Sequence, residues 1–291
     1  MTPAIQQRKV RSRFTAKVTA GIRLEERDQQ LLRDLFLNRL ISRGQIEALY
    51  FNSTIRCNVR LRQLFDHGFV TRYFPPVSPY GAQVIYMLGK NAVPLVAAAL
   101  EMDLSEVRRL ARQSRTATFI DHALKVVDLW IAFRQAAERE QSLKIEAWLP
   151  EILCRHEYII RSKSTGESRR EVFKPDALVR LRDASGTLSS FFIEADLGHT
   201  STRQFLTKLL IHQRYRESRL FEEIYGTLDF RTLVVTTSER RITNLRSLVE
   251  GQNSDLFWFT TFEKVKVSGV LSAIWQVPFA DSLSDLASTC K

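Results

Sequence analysis

The sequence predicts an α+β or α/β protein of two domains: a module of short helices with a β-ribbon, then a mixed sheet flanked by helices. Three observations carry that expectation. Apolar residues first recur at helical spacing in short runs, then alternate between strand-like and helical runs. A chain of 291 residues, 44% hydrophobic and 26% charged, is long enough for two cores of ordinary size. The charge is also uneven: residues 1–120 hold 19 Lys/Arg against 9 Asp/Glu, or +10, whereas residues 121–291 hold 24 against 23, or +1. A basic module joined to a near-neutral one is the footprint of a nucleic-acid anchor attached to something else, with a solvated basic face as the plainer alternative.

Residues 1–23 are polar and basic with little periodicity and read as a flexible arm. Residues 24–115 form the first module. Leu31, Leu32, Leu35, Phe36 and Leu40 make a broad helical stripe that Ser42-Arg43-Gly44 interrupts. Ser42 is placed to cap a second helix, and Asn52-Ser53-Thr54 opens a third that ends at Gly68. Two β-like runs, FVTRYF and AQVIYML, follow around the turn cluster PPVSPYG, and KNAVPLVAAAL and a charged segment over 101–116 read as helices. Three short helices and then a two-stranded ribbon is the order of a winged helix-turn-helix.

On the third helix Cys57, Leu61, Leu64 and Phe65 share one side, which predicts burial. Arg56, Arg60 and Gln63 share another face, and Asn58 and Arg62 lie elsewhere around the helix; with Arg72 in the ribbon these are the expected DNA contacts. Arg, Asn and Gln suit base edges, and Arg also neutralises phosphate. The expected docking places that helix in the major groove and the wing on the neighbouring backbone. Winged helices also serve as protein-docking modules, which is the competing reading.

The second domain is expected over 116–280, with a short C-terminal tail over 281–291. It opens with a long amphipathic helix, in which Ile120, Leu124, Val127 and Ile131 form the stripe. Four strand-like runs come next: KIEAWLP, EYIIRSK, EVFKPDALVRL and LSSFFIEADL. Helix TRQFLTKLLIHQRYRES, strand RTLVVTT, helix SERRITNLRSLVEG and strand LFWFTTFEKV complete it. Glu194 and Asp196 stand at i and i+2 on one strand and therefore project to one side, while Ile193 and Ala195 face the other way into packing. Asp176, directly after Pro175, is placed at the start or bend of a neighbouring strand, within reach of the same point. Burying three carboxylates together is expensive unless a cation sits between them. A hard divalent ion such as Mg²⁺ or Mn²⁺ suits that donor set, and it can activate a water and clamp a phosphate oxygen. Lys208, one turn before His212 and two before Tyr215, shares a helix face with them and is placed to stabilise charge at that point.

The Lys174-Pro175-Asp176 turn, the Glu194-x-Asp196 strand and the order of surrounding elements resemble the PD-(D/E)xK, restriction-endonuclease-like fold. The departure is Asp196, which stands where that pattern has a lysine; Lys208, on the next helix, is the substitute the resemblance implies. EADLGHTS followed by FLTKLL and Tyr215, behind a winged helix, looks like the replication-relaxation family, which resembles the MobC class of plasmid mobilisation proteins. The resemblance implies metal binding by Asp176, Glu194 and Asp196 and a catalytic role for Lys208. His122, on the first helix of this domain, is placed to reach the same pocket, against the plainer reading of a hydrogen-bonded structural histidine. For His199 and His212 the structural reading is the stronger one. The activity implied is nicking or cleavage of DNA by metal-dependent phosphodiester hydrolysis. The rival is a non-catalytic DNA-binding regulator or accessory factor, which the missing lysine after Glu194 supports.

Double-stranded DNA is the expected partner, together with a second copy in a homodimer and mobile-element transfer or replication proteins. No apolar run approaches the roughly 20 residues a membrane span needs. Three scattered cysteines without a CxxC pair argue against a disulfide framework or a structural zinc, so a cytoplasmic setting is expected.

Overall fold

Local capping chemistry decides where the first helices start. Glu25 opens α1 (Glu26–Leu37) in a capping box with Asp28. Ser42 opens α2 (Arg43–Tyr50), accepting from the Gln45 N–H while Gln45 returns to the Ser42 N–H. Ser53 opens α3 (Thr54–Asp66). These are elements of a computed structural model that describes residues 16, 21–75, 84–112, 116–140, 142–161, 166–227, 229–249, 254–278 and 282–289. The expected arm over 1–23 and the turn cluster between the ribbon strands lie largely outside those residues. The chain divides into two compact units, Met1–Arg115 and Thr116–Lys291.

In the first unit a two-residue strand that the sequence did not announce, β1 (Ile41–Ser42), joins the expected ribbon of β2 (Val70–Tyr73) and β3 (Ile85–Leu88). The three strands run antiparallel in the order β1-β3-β2. Gly89 passes so close to the Gly68 carbonyl that an added Cβ would lie 2.3 Å from it, which fixes glycine there. Helices α4 (Val93–Ala99) and α5 (Leu104–Ala111) complete the unit. Leu31, Leu35, Ile46, Cys57, Leu61 and Leu64 are fully enclosed in its core.

The second unit begins with α6 (Ala117–Arg139), followed by β4 (Leu143–Pro150), a single turn α7 (Glu151–Cys154) and β5 (His156–Arg161). The run EVFKPDALVRL, expected as one strand, is two: β6 (Ser168–Phe173) and β7 (Ala177–Asp183). Pro175 lacks an N–H and restrains Lys174, so the ladder breaks there. β6 pairs with β5 in a separate two-stranded sheet, whereas β7 enters the main sheet. Then come β8 (Leu188–Asp196), α8 (Thr202–Ser218), the short α9 (Leu220–Tyr225), β9 (Arg231–Thr236), α10 (Glu239–Val249) and β10 (Phe257–Thr261). The run LFWFTTFEKV also divides, because Thr261 caps α11 (Phe262–Ser268) by accepting from the Lys264 N–H. Residues of the expected tail are not loose: Ser284 bridges to Trp275, and Leu286, at the start of α12 (Leu286–Thr289), is buried in the same cluster as Trp275.

The main sheet is mixed, in the order β10-β9-β8-β7-β4, with β8, β9 and β10 parallel and β4 and β7 antiparallel to their neighbours. Alternation along β8 divides its residues between two cores. Phe191, Ile193 and Ala195 join one cluster with Val126, Leu129 and Phe133 of α6, and Phe192 joins another with Leu209 and Tyr215 of α8. Glu194 and Asp196 belong to the second face.

Among the described residues of the first unit the most enclosed charge is Asp28, with no solvent exposure. It accepts from the Glu25 N–H at 2.8 Å and from Arg60 Nε at 3.0 and 3.1 Å, and the Arg60 guanidinium also donates to the Arg23 carbonyl at 2.7 Å. Removing one partner of an enclosed pair strands the other. Asp28→Ala is therefore expected to destabilise the first unit by about 3 kcal/mol in urea unfolding of the full chain. A loss under about 1 kcal/mol, the range of an exposed pair, would contradict that assignment.

Candidate functional site

β8 carries Glu194 into the apolar face beneath α8, where it has no solvent exposure. The β7–β8 register pairs Ala177 with Ile193, so Asp176 arrives beside Glu194 at the mouth of the same face, its backbone N–H bonded to the Ile193 carbonyl at 3.1 Å. Lys208, on the first half of α8, reaches down between the two: Nζ lies 3.3 Å from Asp176 Oδ1 and in direct contact with Glu194 Oε2. One turn further on, His212 Nε2 lies 2.6 Å from Glu194 Oε1 while its Nδ1 is 2.9 Å from Thr232 Oγ1 on β9. From α6, His122 Nε2 sits 3.1 Å from Asp176 Oδ2, which also accepts from the Ala195 N–H at 2.8 Å. The cluster is closed below and open above: the His212 side chain is buried, whereas about a third of the Lys208 and His122 side chains meets solvent.

The charges sustain one another. Burial pushes the Asp176 carboxyl up, but the Lys208 ammonium and His122 outweigh it and hold the group well below the ordinary carboxylate range. Burial likewise pulls Lys208 down, and the two carboxylates overcome it, so the ammonium keeps its proton more firmly than an ordinary lysine. Asp176 raises His122, against the opposing pull of burial.

Asp196 does not enter this cluster, and the expectation of three carboxylates meeting round one ion is corrected to two round an ammonium. Asp196 Oδ2 accepts from Arg241 Nε at 2.7 Å and from Thr236 Oγ1 at 3.0 Å, and Oδ1 accepts from the Gly198 N–H at 3.1 Å. Arg241 lies on α10, and nothing in the sequence singled it out from the chain's other arginines. His212 is the other member that sequence reasoning set aside; its i+4 spacing from Lys208 was the available signal. His199 is exposed in the β8–α8 loop. Tyr215 is fully buried, stacked on Phe173 at 3.9 Å and bonded to His156 Nδ1 at 2.7 Å, and burial raises its phenol, so it is a packing residue.

The chemistry of the donors can be tested against the implied Mg²⁺ or Mn²⁺. Among the described residues no group of three or more His, Cys, Asp or Glu is arranged to hold a metal ion. Two carboxylates do converge, and Glu194 Oε2 is buried without a well-formed hydrogen bond, met by the Lys208 ammonium. Mg²⁺ commonly takes one or two carboxylates and completes its shell with waters and substrate phosphate. Asp176 and Glu194 are donors of that type, and the Lys208 ammonium occupies the space between them.

The expected DNA contacts divide in two. Arg56, Asn58 and Gln63 are exposed on α3. Arg60 is committed to Asp28, Arg62 to the buried Asp66 at 2.8 Å, and Arg72 lies over the Phe65 ring at 3.6 Å, where burial lowers its pKa. Those three guanidinium groups brace the unit from within.

The chain belongs to the replication-relaxation family, whose model matches residues 32–229 and so spans both units. No curated protein and no solved structure matches the chain. Membership places the chain among proteins of plasmid or mobile-element replication and relaxation. Among the described residues no helix is long and apolar enough to cross a membrane.

The Asp176–His122 contact sets a pH window. Asp176 raises the His122 pKa above its ordinary 6.5, so the stability from this pair is complete below pH 6.5 and is lost as pH rises through the raised value. The lowered Asp176 pKa acts at the other end: its contribution is present above 3.8 and is lost as pH falls towards the folded value. An NMR titration of the His122 Cε1–H in metal-free buffer should therefore give a midpoint above 6.5 that drops in Asp176→Asn. An unchanged midpoint in that variant would remove Asp176 as the cause.

Proposed function

We propose that this protein binds DNA through its first unit and nicks or cleaves it with the second, by metal-dependent phosphodiester hydrolysis, as part of plasmid or mobile-element replication or relaxation. One observation carries the reading: Asp176 just before β7, Glu194 on the adjacent β8 and Lys208 on the following helix converge at a point open to solvent. That trio supports a PD-(D/E)xK-like site in which the lysine has moved to α8. The order α1-α2-α3 and then the ribbon, with the exposed Arg56, Asn58 and Gln63, supports a winged helix-turn-helix as the DNA-binding part.

Asp176 and Glu194 would hold Mg²⁺ or Mn²⁺, which when bound supplies an activated water and neutralises charge on a phosphate oxygen. Lys208, freed from between the carboxylates, donates to a non-bridging phosphate oxygen as negative charge develops there. His122 holds its proton against Asp176 Oδ2 and keeps that carboxylate aimed at the opening. His212 fixes the far oxygen of Glu194 from below.

The test is a nicking assay on supercoiled plasmid carrying the protein's own replication or transfer region, with Mg²⁺ or Mn²⁺. Wild type should nick, Glu194→Gln and Lys208→Ala should lose about 100-fold or more, and EDTA should abolish the reaction. Wild type without activity, or Glu194→Gln at full rate, would overturn the proposal. The Asp196–Arg241 pair favours a second reading, a DNA-binding regulator or accessory factor whose nuclease-like domain is a scaffold. That reading expects salt-sensitive duplex binding that is unaffected by EDTA and by Glu194→Gln, with no cleavage.

A further inference from the structure

α3 carries an anomaly that its guanidinium groups do not explain. Ile55 is 76% exposed and Val59 54% exposed, two β-branched side chains one turn apart. At helical spacing they stand opposite the enclosed Cys57, Leu61 and Leu64, in the middle of the outward face. Asn58 and Arg62 flank them on one side and Gln63 and Arg56 on the other. β-Branched residues are middling helix formers, and at an exposed site they gain nothing from packing.

The surroundings identify what this stripe faces. The one acid on α3, Asp66, is buried and held by Arg62, and Glu47 beside the helix start is held by Arg43 at 2.5 Å. The outward face is thus apolar at its centre, amide and guanidinium at its edges, and free of exposed acid, on a module with a charge of +10 over residues 1–120. A major groove is the complement: acidic at its phosphate rims, with donors and acceptors on base edges, and apolar only at the C5-methyl of thymine.

We infer that Ile55 and Val59 are specificity residues that read thymine methyl groups in the major groove, so that the recognised site contains T·A pairs at the position α3 covers. This rests on the proposed DNA binding by the first unit and adds to it which base feature is read. Arg56 and the amides of Asn58 and Gln63 then read or anchor the neighbouring positions.

The experiment uses the full chain and a randomised duplex library, followed by titration of the selected duplex with each thymine replaced in turn by uracil, which lacks the methyl. The selected site should contain T·A pairs, and uracil at one or two of them should weaken binding about fourfold per methyl. Ile55→Ala/Val59→Ala should bind thymine and uracil duplexes alike while keeping its salt-sensitive general affinity and its melting temperature. Sequence-selective binding indifferent to uracil at every thymine, or selection of no motif, would overturn the inference while leaving DNA binding standing. Absence of duplex binding even at low salt would instead overturn the DNA reading, and this inference with it.

Discussion

Two carboxylates on the inner face of a sheet cannot be buried side by side unless a cation is supplied, and in this protein Lys208 supplies it. Much of the second unit follows from that constraint. α8 must cross the sheet so that its first half lies over Glu194 and Asp176, and the apolar residues that hold it there, Phe205, Leu209 and Tyr215, lie on the same helix as the cation. Lys208 and His212, a turn apart, grip the two oxygens of Glu194 from one direction, while β9 supplies Thr232 to orient the imidazole. Such a network specifies geometry more than it adds stability, because desolvation offsets most of the Coulomb attraction.

The parts of this site legible in the sequence were those set by short-range periodicity. Alternation along β8 put Glu194 on the face opposite Ile193, and helical spacing put Lys208 and His212 together. Pro175 marked the break before Asp176, yet the depth of that break, which sends β6 and β7 into different sheets, depends on pairing partners far along the chain. The apolar residues of FEKV suit a strand or a helix equally, and the cap at Thr261 decides for helix. Arg241 could not be foreseen: it meets Asp196 across 45 residues, and no local pattern separates it from the arginines around it.

The same distinction separates the two roles of arginine in the first unit. Arg56, Arg60 and Arg62 look alike on a helical projection, but Asp28 and Asp66 are enclosed and each requires a partner. Arg60 and Arg62 are claimed for that purpose, and Arg72 is folded onto Phe65. Charge counted along the sequence therefore overstates the charge offered to a ligand. What remains exposed on α3 is the Thr54 hydroxyl, the Arg56 guanidinium, the amides of Asn58 and Gln63, and the apolar pair Ile55 and Val59.

Asp196, the third acid, serves the site at one remove. Its carboxylate holds the Arg241 guanidinium, which also donates to the Thr200 carbonyl at 3.1 Å and to Thr202 Oγ1 at 3.2 Å, and its Oδ1 receives the N–H of Gly198, a residue at φ +74°. Those contacts fix the four residues between β8 and the Ser201 cap of α8. Since α8 is a rigid rod, the place where it begins determines where Lys208 lands, two turns later. An acid that the linear spacing groups with Asp176 and Glu194 is thereby coupled to the Lys208 ammonium instead. Loss of the Asp196–Arg241 pair would be felt at Lys208 through the start of the helix, with Glu194 left in place on β8 and Asp176 just before β7.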